Sequence, residues 1–237
     1  MPTRSHSMRR LRAMPFKGFP KETLEFLAAL RTNNDKKWFD AHRADYESYF
    51  VEPAKDFVAA LAPRLKTIDR KIHAEPRING SILRIQRDVR FARDKSPYKD
   101  HLDLWFWTGE EKGWDSSGFF LRLTPDMLVL GAGMHAFGGA KLARYRRAVL
   151  DAKKGAALAK AVARARKDGY EVGEERYINT PKGTPHDHPR ASLLKHGALY
   201  AGWQGGHPKE LHRSAFVPFV TRHYKAIAPI HAWLRAI

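Results

Sequence analysis

Cysteine is absent from the 237-residue sequence. Its absence excludes disulfide bonds, thiol nucleophiles, iron–sulfur clusters and the usual zinc ribbons. The Gly-x-Ser-x-Gly, Walker and His-Glu-x-x-His motifs are absent as well, so we expect no cofactor. A chain without thiols fits a reducing compartment, and we expect a cytoplasmic protein.

Long apolar runs are also missing. A membrane-spanning helix needs roughly 20 apolar residues, but the longest candidates, Phe119–Leu123 and Met127–Gly133, are short and broken by polar residues or proline. The N-terminal residues lack the apolar core of a secretory signal. The sequence therefore predicts no membrane association.

Acidic residues are scarce relative to basic ones. The 43 Lys and Arg residues outnumber the 25 Asp and Glu residues, which gives a formal net charge of +18, and five of the bases lie within the first 17 residues. We expect residues 1–15 to be a disordered basic tail and residues 16–237 to form one domain. Because the domain is basic without the tail, its field attracts phosphates, nucleic acid and anionic metabolites. A solvated arginine-rich surface would account for the same charge.

The apolar spacing in the first part of the chain is helical. Leu24, Leu27 and Leu30 form one apolar stripe, and a second helix is predicted over about 35–50. Glu52-Pro53 opens a third helix, because proline is tolerated in a first turn and apolar residues then recur at spacings of three and four. These segments predict an N-terminal helical layer.

After Pro76 the apolar spacing changes to two. The alternation predicts strands at Ser81–Gln86, Leu102–Trp107, Gly118–Thr124 and Met127–Gly133. Short turns between such strands are typical of an antiparallel meander. The remaining patterns predict helices over 140–150 and 156–167, a loop over 170–189, a short strand within 193–203 and a closing helix over 209–237. The fold class is therefore α+β, with an N-terminal helical layer packed on an antiparallel meander sheet and further helices after the sheet.

The densest chemical segment lies between the first two predicted strands. Arginine forks bind carboxylate and phosphate in a bidentate way, whereas lysine acts as a point charge. A loop carried on a rigid sheet suits a binding site. We expect a pocket for a phosphate- or carboxylate-bearing small molecule, with ligand-binding residues Arg84, Arg87, Asp88, Arg90, Arg93, Asp94, Lys95, Tyr98 and Lys99.

The same segment also has a purely structural interpretation. Asp88 and Asp94 lie among the bases, so Arg–Asp pairs could simply pin a long loop to the sheet, in a structural or interaction domain without a ligand. If the pocket were catalytic, the arginines would stabilise a developing anion. Asp88, Asp94 or His135 would then be candidate bases, none of them preferred. The sequence leaves enzymatic activity and oligomeric state open.

Several short motifs carry a resemblance to a known family. They are Phe19-Pro20, Asn34–Phe39, Arg87–Phe91, Asp94–Lys99, Gly131–Gly133 and Leu193–Lys195. With these motifs the chain resembles a widespread bacterial and fungal family, domain of unknown function 2461, from about Phe16 to its last residue. The resemblance implies a single domain of bacterial type and carries over no catalytic residue.

Three weaker sequence patterns are typical of other kinds of binding site. Residues 138–168 hold ten bases and two acids, so a nucleic-acid-associated basic module is the alternative function. Gly131-Ala132-Gly133 imitates a dinucleotide fingerprint, but its strand belongs to a meander rather than a βαβ unit. His186-Asp187-His188 imitates a metal-ligand pair without an identifiable third ligand, so no metal site is predicted.

Overall fold

A computed structural model describes residues 15–110, 113, 116–184 and 187–237. Within these residues, helices come before the first strand and after the last strand of an antiparallel sheet. The helices are α1 (Lys21–Thr32), α2 (Lys36–Ala41), α3 (Arg43–Asp45), α4 (Glu52–Ile68), α5 (Gly139–Leu150), α6 (Ala152–Lys167), α7 (Ala191–Leu194) and α8 (Phe216–Arg235). The strands are β1 (Leu102–Trp107), β2 (Gly118–Leu123), β3 (Leu128–Met134), β4 (Glu171–Glu175) and β5 (His196–Gly205). This order confirms the α+β fold class. None of the described helices is long and apolar enough to cross a membrane. The expected N-terminal tail falls almost wholly outside the described residues.

The N-terminal helical layer departs from its prediction at one place. The helix predicted over 35–50 is divided into α2, α3 and a π-helical turn at Tyr46–Val51. Asp35 caps α2 by accepting a hydrogen bond from the backbone of Trp38 at 2.9 Å. The division follows His42, whose backbone leaves the helical region at φ −108° and ψ 23°.

The five strands are arranged in the order β1-β2-β3-β5-β4, and every neighbouring pair is antiparallel. The first three strands form the predicted meander. The strand predicted at Ser81–Gln86 is wrong as a full strand, because that segment makes only isolated bridges, Ile82 with both Ile78 and Leu104, and Gln86 with Tyr98. The segment leaves the edge of β1 after two backbone hydrogen bonds, so no continuous ladder forms.

The C-terminal part contains a strand that the sequence pattern did not predict. The predicted loop 170–189 includes β4, which pairs with β5 at the far edge of the sheet. Its three glutamates and central Gly173 make the strand hard to predict, because glycine and glutamate are depleted in strands. The closing helix begins at Phe216 rather than Lys209.

The two faces of the sheet differ in what covers them. On the covered face, Phe106 and Phe119 are fully buried and contact Tyr224 of α8. The Tyr224 hydroxyl donates a hydrogen bond of 2.9 Å to the backbone oxygen of Phe120, which joins α8 to β2. The side chains between these core residues point to the opposite face of the sheet. We call that surface the cleft face, because it forms a cleft of about 340 Å³.

Candidate functional site

Strand register arranges the cleft face in rows. One row crosses four strands and consists of Asp103, Arg122, Val129 and Gln204. The next row crosses all five strands and consists of Trp105, Phe120, Gly131, Gly202 and Glu171. The first row begins with a charged pair and the second has two adjacent glycines at its centre. Together the two rows provide most of the lining of the cleft.

Glycine gives the cleft its depth. A Cβ atom on Gly131 would lie 2.3 Å from Cζ of Phe120, so the phenyl ring already occupies the space above that glycine. A Cβ atom on Gly202 would meet only the backbone oxygen of Leu130, at 3.4 Å. The floor at Gly202 is therefore open toward the cleft, and a larger side chain there would fill it.

Aromatic rings form one wall of the cleft. The imidazole centroid of His135 lies 5.5 Å from the ring of Phe120, 5.8 Å from Trp105 and 6.3 Å from Tyr200. Such a wall offers flat apolar contact area to a ligand, with polar atoms on several of the rings. His135, which the sequence singled out as a candidate base, belongs to this wall.

A buried carboxylate organises the other end of the cleft. Asp103 accepts two hydrogen bonds from the guanidinium of Arg122, at 2.7 and 3.1 Å. The Lys99 ammonium nitrogen lies 3.8 Å from Oδ2 of Asp103, and Nε2 of His101 lies 3.3 Å from the same oxygen. Two basic side chains and an imidazole thus surround a single carboxylate, and we call these four residues the Asp103 cluster.

The Asp103 cluster continues to the helical layer. Nδ1 of His101 lies 3.0 Å from Oδ1 of Asp100, and Asp100 accepts a 2.7 Å hydrogen bond from Arg31 of α1. Arg31 also pairs with Asp126 at 2.7 Å, in the turn between β2 and β3. This chain of polar contacts fixes the edge of the sheet against α1.

The pKa values in the Asp103 cluster follow from burial and charge. Burial alone would raise the pKa of Asp103, but hydrogen bonds from His101 and Arg122 outweigh it and lower the pKa to about 2. Burial lowers the pKa of Lys99; Arg122 and Arg84 lower it further, and Asp103 opposes the shift. Asp103 is therefore ionised at neutral pH, and Lys99 is a partly desolvated ammonium.

Residues 84–99, which we call the arm, extend from the edge of β1 as two paired legs. The backbone nitrogen of Arg87 bonds to the oxygen of Pro97 at 2.9 Å, and that of Lys99 bonds to the oxygen of Ile85 at 2.8 Å. The base of the arm is anchored on α2, because the Tyr98 ring stacks on Phe39 at 4.1 Å between centroids. The side chain of Asn34 also bonds both backbone groups of Tyr98, each at 3.0 Å.

Four of the eight charged residues of the arm form ion pairs within it. Arg87 pairs with Asp94, and Arg90 forms a two-point contact with Asp88 at 2.9 and 2.7 Å. The Lys95 ammonium donates to the backbone oxygen of Val89 at 3.0 Å and thereby closes the tip.

The structure divides the nine predicted site residues into three groups. Lys99 joins the Asp103 cluster, and Arg84 acts on it electrostatically. Tyr98 is 8% exposed and belongs to the core. The remaining residues lie along the arm, away from the cleft lining: Arg87, Asp88, Arg90, Arg93, Asp94 and Lys95.

Sequence reasoning missed the residues that line the cleft beside Lys99. Asp103 and Arg122 each interrupt an apolar strand at a position that faces away from the core. A charged residue at such positions on two consecutive strands is a signal for a cross-strand ion pair. The register then places the two residues directly opposite each other.

A second buried polar chain lies elsewhere. The Ser117 hydroxyl oxygen lies 2.8 Å from Nδ1 of His231, whose Nε2 lies 3.1 Å from Asp69, and Arg235 also pairs with Asp69 at 2.9 Å. Ser117 is 3% exposed. A hydroxyl at that depth is not accessible to a substrate. The role of these polar contacts is structural, because they join α8 to β2 and to the end of α4.

Metal ligands do not converge in the described part of the chain. Within it, no group of three or more His, Asp or Glu side chains could hold a metal ion. Of the His-Asp-His motif, His186 lies outside the described residues. Nδ1 of His188 accepts a 3.1 Å hydrogen bond from the backbone of Arg190.

These features define an α+β domain whose antiparallel sheet has one covered face and one face that forms a cleft. A family model described as "Conserved hypothetical protein (DUF2461)" matches residues 22–233. The chain belongs to this family, which confirms the resemblance seen in its motifs. No curated protein sequence shows detectable similarity to the chain.

Proposed function

We propose that this protein binds a small organic anion in the cleft. The anionic group lies at the Asp103 cluster, between Lys99 and Arg122, and the body of the ligand lies along the aromatic wall. The single observation that carries the proposal is the charge imbalance around Asp103, where two cations contact one carboxylate at an end of the cleft.

The donors of the cluster support this orientation. Arg122 directs Nε and Nη2 to Asp103, whereas the Lys99 nitrogen, at 3.8 Å, is beyond hydrogen-bond distance from it. An ammonium held near a carboxylate but not bonded to it can donate to a second anion. A bound anion would also offset the repulsion from Arg122 and Arg84 that lowers the pKa of Lys99.

Size and lining define the ligand class. A cleft of about 340 Å³ lies at the lower end of the range for small-molecule sites. Glu171 and Gln204 lie on the strands farthest from the cluster and offer hydrogen-bonding groups there. A ligand with a carboxylate or phosphate, a flat apolar body and polar groups at the other end matches this distribution.

The test is a thermal-shift screen followed by calorimetry. The panel consists of inorganic phosphate, sugar phosphates, nucleoside monophosphates and aromatic carboxylates. A ligand at about 100 times its Kd should raise the Tm by about 5–10 °C. Lys99→Met should abolish this rise, because it removes the charge and keeps most of the apolar stem.

Gly202→Val is the steric test. Its branched side chain would fill the floor of the cleft, where a Cβ atom meets only one oxygen at 3.4 Å. Gly206→Val is the matched control, since a Cβ atom there has no neighbour within 4 Å. Retention of binding by the Gly202 variant, or the absence of any stabilising anion, would contradict the proposal.

A nucleic-acid contact on α5 and α6 is the second candidate. The apolar residues Tyr145, Val149, Leu158 and Val162 are buried, so the bases of these helices occupy the outward faces. A surface of that kind follows a phosphate backbone with strong salt dependence. Duplex binding that is unchanged between low and moderate salt would contradict this candidate.

A further inference from the structure

The tip of the arm exposes an aromatic ring. Phe91 is 96% exposed, although phenylalanine is among the residues most often buried. The tip is nevertheless a structured turn, because Lys95 binds the backbone oxygen of Val89 and Asp88 holds Arg90 at two points. Phe91 is thus presented to solvent by a turn that local contacts define.

Basic side chains flank this ring. The arm holds six cations and two carboxylates, and each carboxylate is already paired with an arginine of the arm. Arg93 is exposed and makes no hydrogen bond or ion pair with a residue that the structure describes. The guanidinium carbon of Arg90 lies 5.9 Å from the Phe91 centroid. The tip therefore combines a flat apolar surface with positive charge on both sides along the chain.

We propose that the arm binds single-stranded nucleic acid, with a base stacked on Phe91, one flanking phosphate bound by Arg93 and the other by the Nη1 edge of Arg90, which Asp88 does not contact. Exposed aromatic side chains beside basic groups are the usual means of holding single strands without sequence preference. Guanidinium groups also match phosphate geometry. Duplex DNA is disfavoured as the partner, because its stacked bases do not present a free face to the ring.

A membrane surface fits the tip less well. Insertion of Phe91 would carry the adjacent ion pair of Asp88 and Arg90 toward the apolar region. Charged groups are costly there, and Val89, the nearest other large apolar side chain, is half-buried. Single-stranded nucleic acid needs no such transfer.

The experiment is a fluorescence-anisotropy titration of the full chain with a labelled oligothymidylate. Wild-type protein should bind with an affinity that falls steeply as salt rises from about 50 to 200 mM. Phe91→Ala should weaken binding about tenfold or more with the salt slope unchanged, because it removes stacking alone. Arg93→Gln should reduce the slope by about 0.7, the value for one single-strand phosphate contact.

Two controls separate the arm from other surfaces. Ile178→Ala changes an apolar side chain that is 89% exposed elsewhere, and it should bind as the wild type does. Gly202→Val, which fills the cleft, should also bind oligothymidylate normally, so failure of the cleft proposal and failure of this one are distinguishable.

Three results would overturn the inference. They are equal affinity of wild type and Phe91→Ala for oligothymidylate, a larger loss of duplex binding than of oligothymidylate binding in Phe91→Ala, and binding to vesicles of phosphatidylglycerol and phosphatidylcholine without binding to the oligonucleotide.

Discussion

The Asp103 cluster and the arm both contain Arg–Asp pairs, but the two regions differ in burial. The side chain of Asp103 is 12% exposed, whereas those of Asp88 and Asp94 are 46% and 62% exposed. Water screens the pairs of the arm, so they contribute little to stability and mainly define its shape. Removal of one member of the buried cluster is costly, because the charges that remain cannot exchange their lost partner for water.

The two regions also differ in how their carboxylates are balanced by basic side chains. In the arm the carboxylates are matched one to one with Arg87 and Arg90. At the cleft a single carboxylate contacts two basic side chains, Lys99 and Arg122. The excess positive charge at the cleft is buried and favours an added small anion, whereas the unpaired cations of the arm are exposed and screened by water and salt. This difference is why the proposed small-molecule site lies at the cleft rather than within the arm.

Removal of the cluster's carboxylate should have the largest effect. Asp103→Asn keeps the shape of the side chain but leaves Arg122 and Lys99 without their negative partner. We expect a loss of about 2–3 kcal/mol in the free energy of unfolding, below the ~3–5 kcal/mol of a fully buried pair because Arg122 is half-exposed. Urea denaturation of both proteins at neutral pH measures this loss. A loss no larger than that of Asp88→Asn would remove the distinction between the regions.

The pH dependence of stability should reflect the ionisation of Asp103. The pKa of Asp103 is about 2 in the folded state, below its ordinary value of 3.8. A carboxyl with a depressed folded pKa stabilises the protein above its unfolded pKa, and that stability is lost as the pH falls through the folded pKa. The difference in unfolding free energy between wild type and Asp103→Asn should therefore decline from about 2 kcal/mol to near zero between about pH 4 and pH 2.

Denaturation curves of both proteins at several pH values give this difference directly. Because the variant lacks only the titrating group, other carboxyl groups cancel in the subtraction. A difference that stays constant down to pH 2 would mean that the Asp103 carboxylate is not the source of the stability.

Local sequence patterns predicted much of the fold. Apolar spacing indicated α1, α4 and the first three strands, because each buries one face and repeats with the period of its element. The pattern did not predict β4, whose glutamates and Gly173 are atypical of a strand. That strand forms because β5 provides a partner at the sheet edge.

The cleft was harder to predict than the arm. The arm is contiguous, so its charged residues are visible in one stretch of sequence. The open floor of the cleft is at Gly202, and this residue lies beside Gly131 only when β3 pairs with β5 across more than 60 residues. Residue types indicate which face of a strand is buried but not which strand will lie beside it. The depth of the cleft therefore depends on long-range register.

The smallest effect should come from the arm. Asp94→Asn removes the partner of Arg87 at a carboxylate that is 62% exposed. We expect the denaturation midpoint to stay within experimental error of the wild type, because solvent replaces the lost contact. The same variant should bind oligothymidylate at least as tightly as wild type, since it removes a negative charge near the tip. A clear loss of stability would show that the arm pairs hold the fold together, as the structural interpretation of this segment requires, and would make the two regions alike.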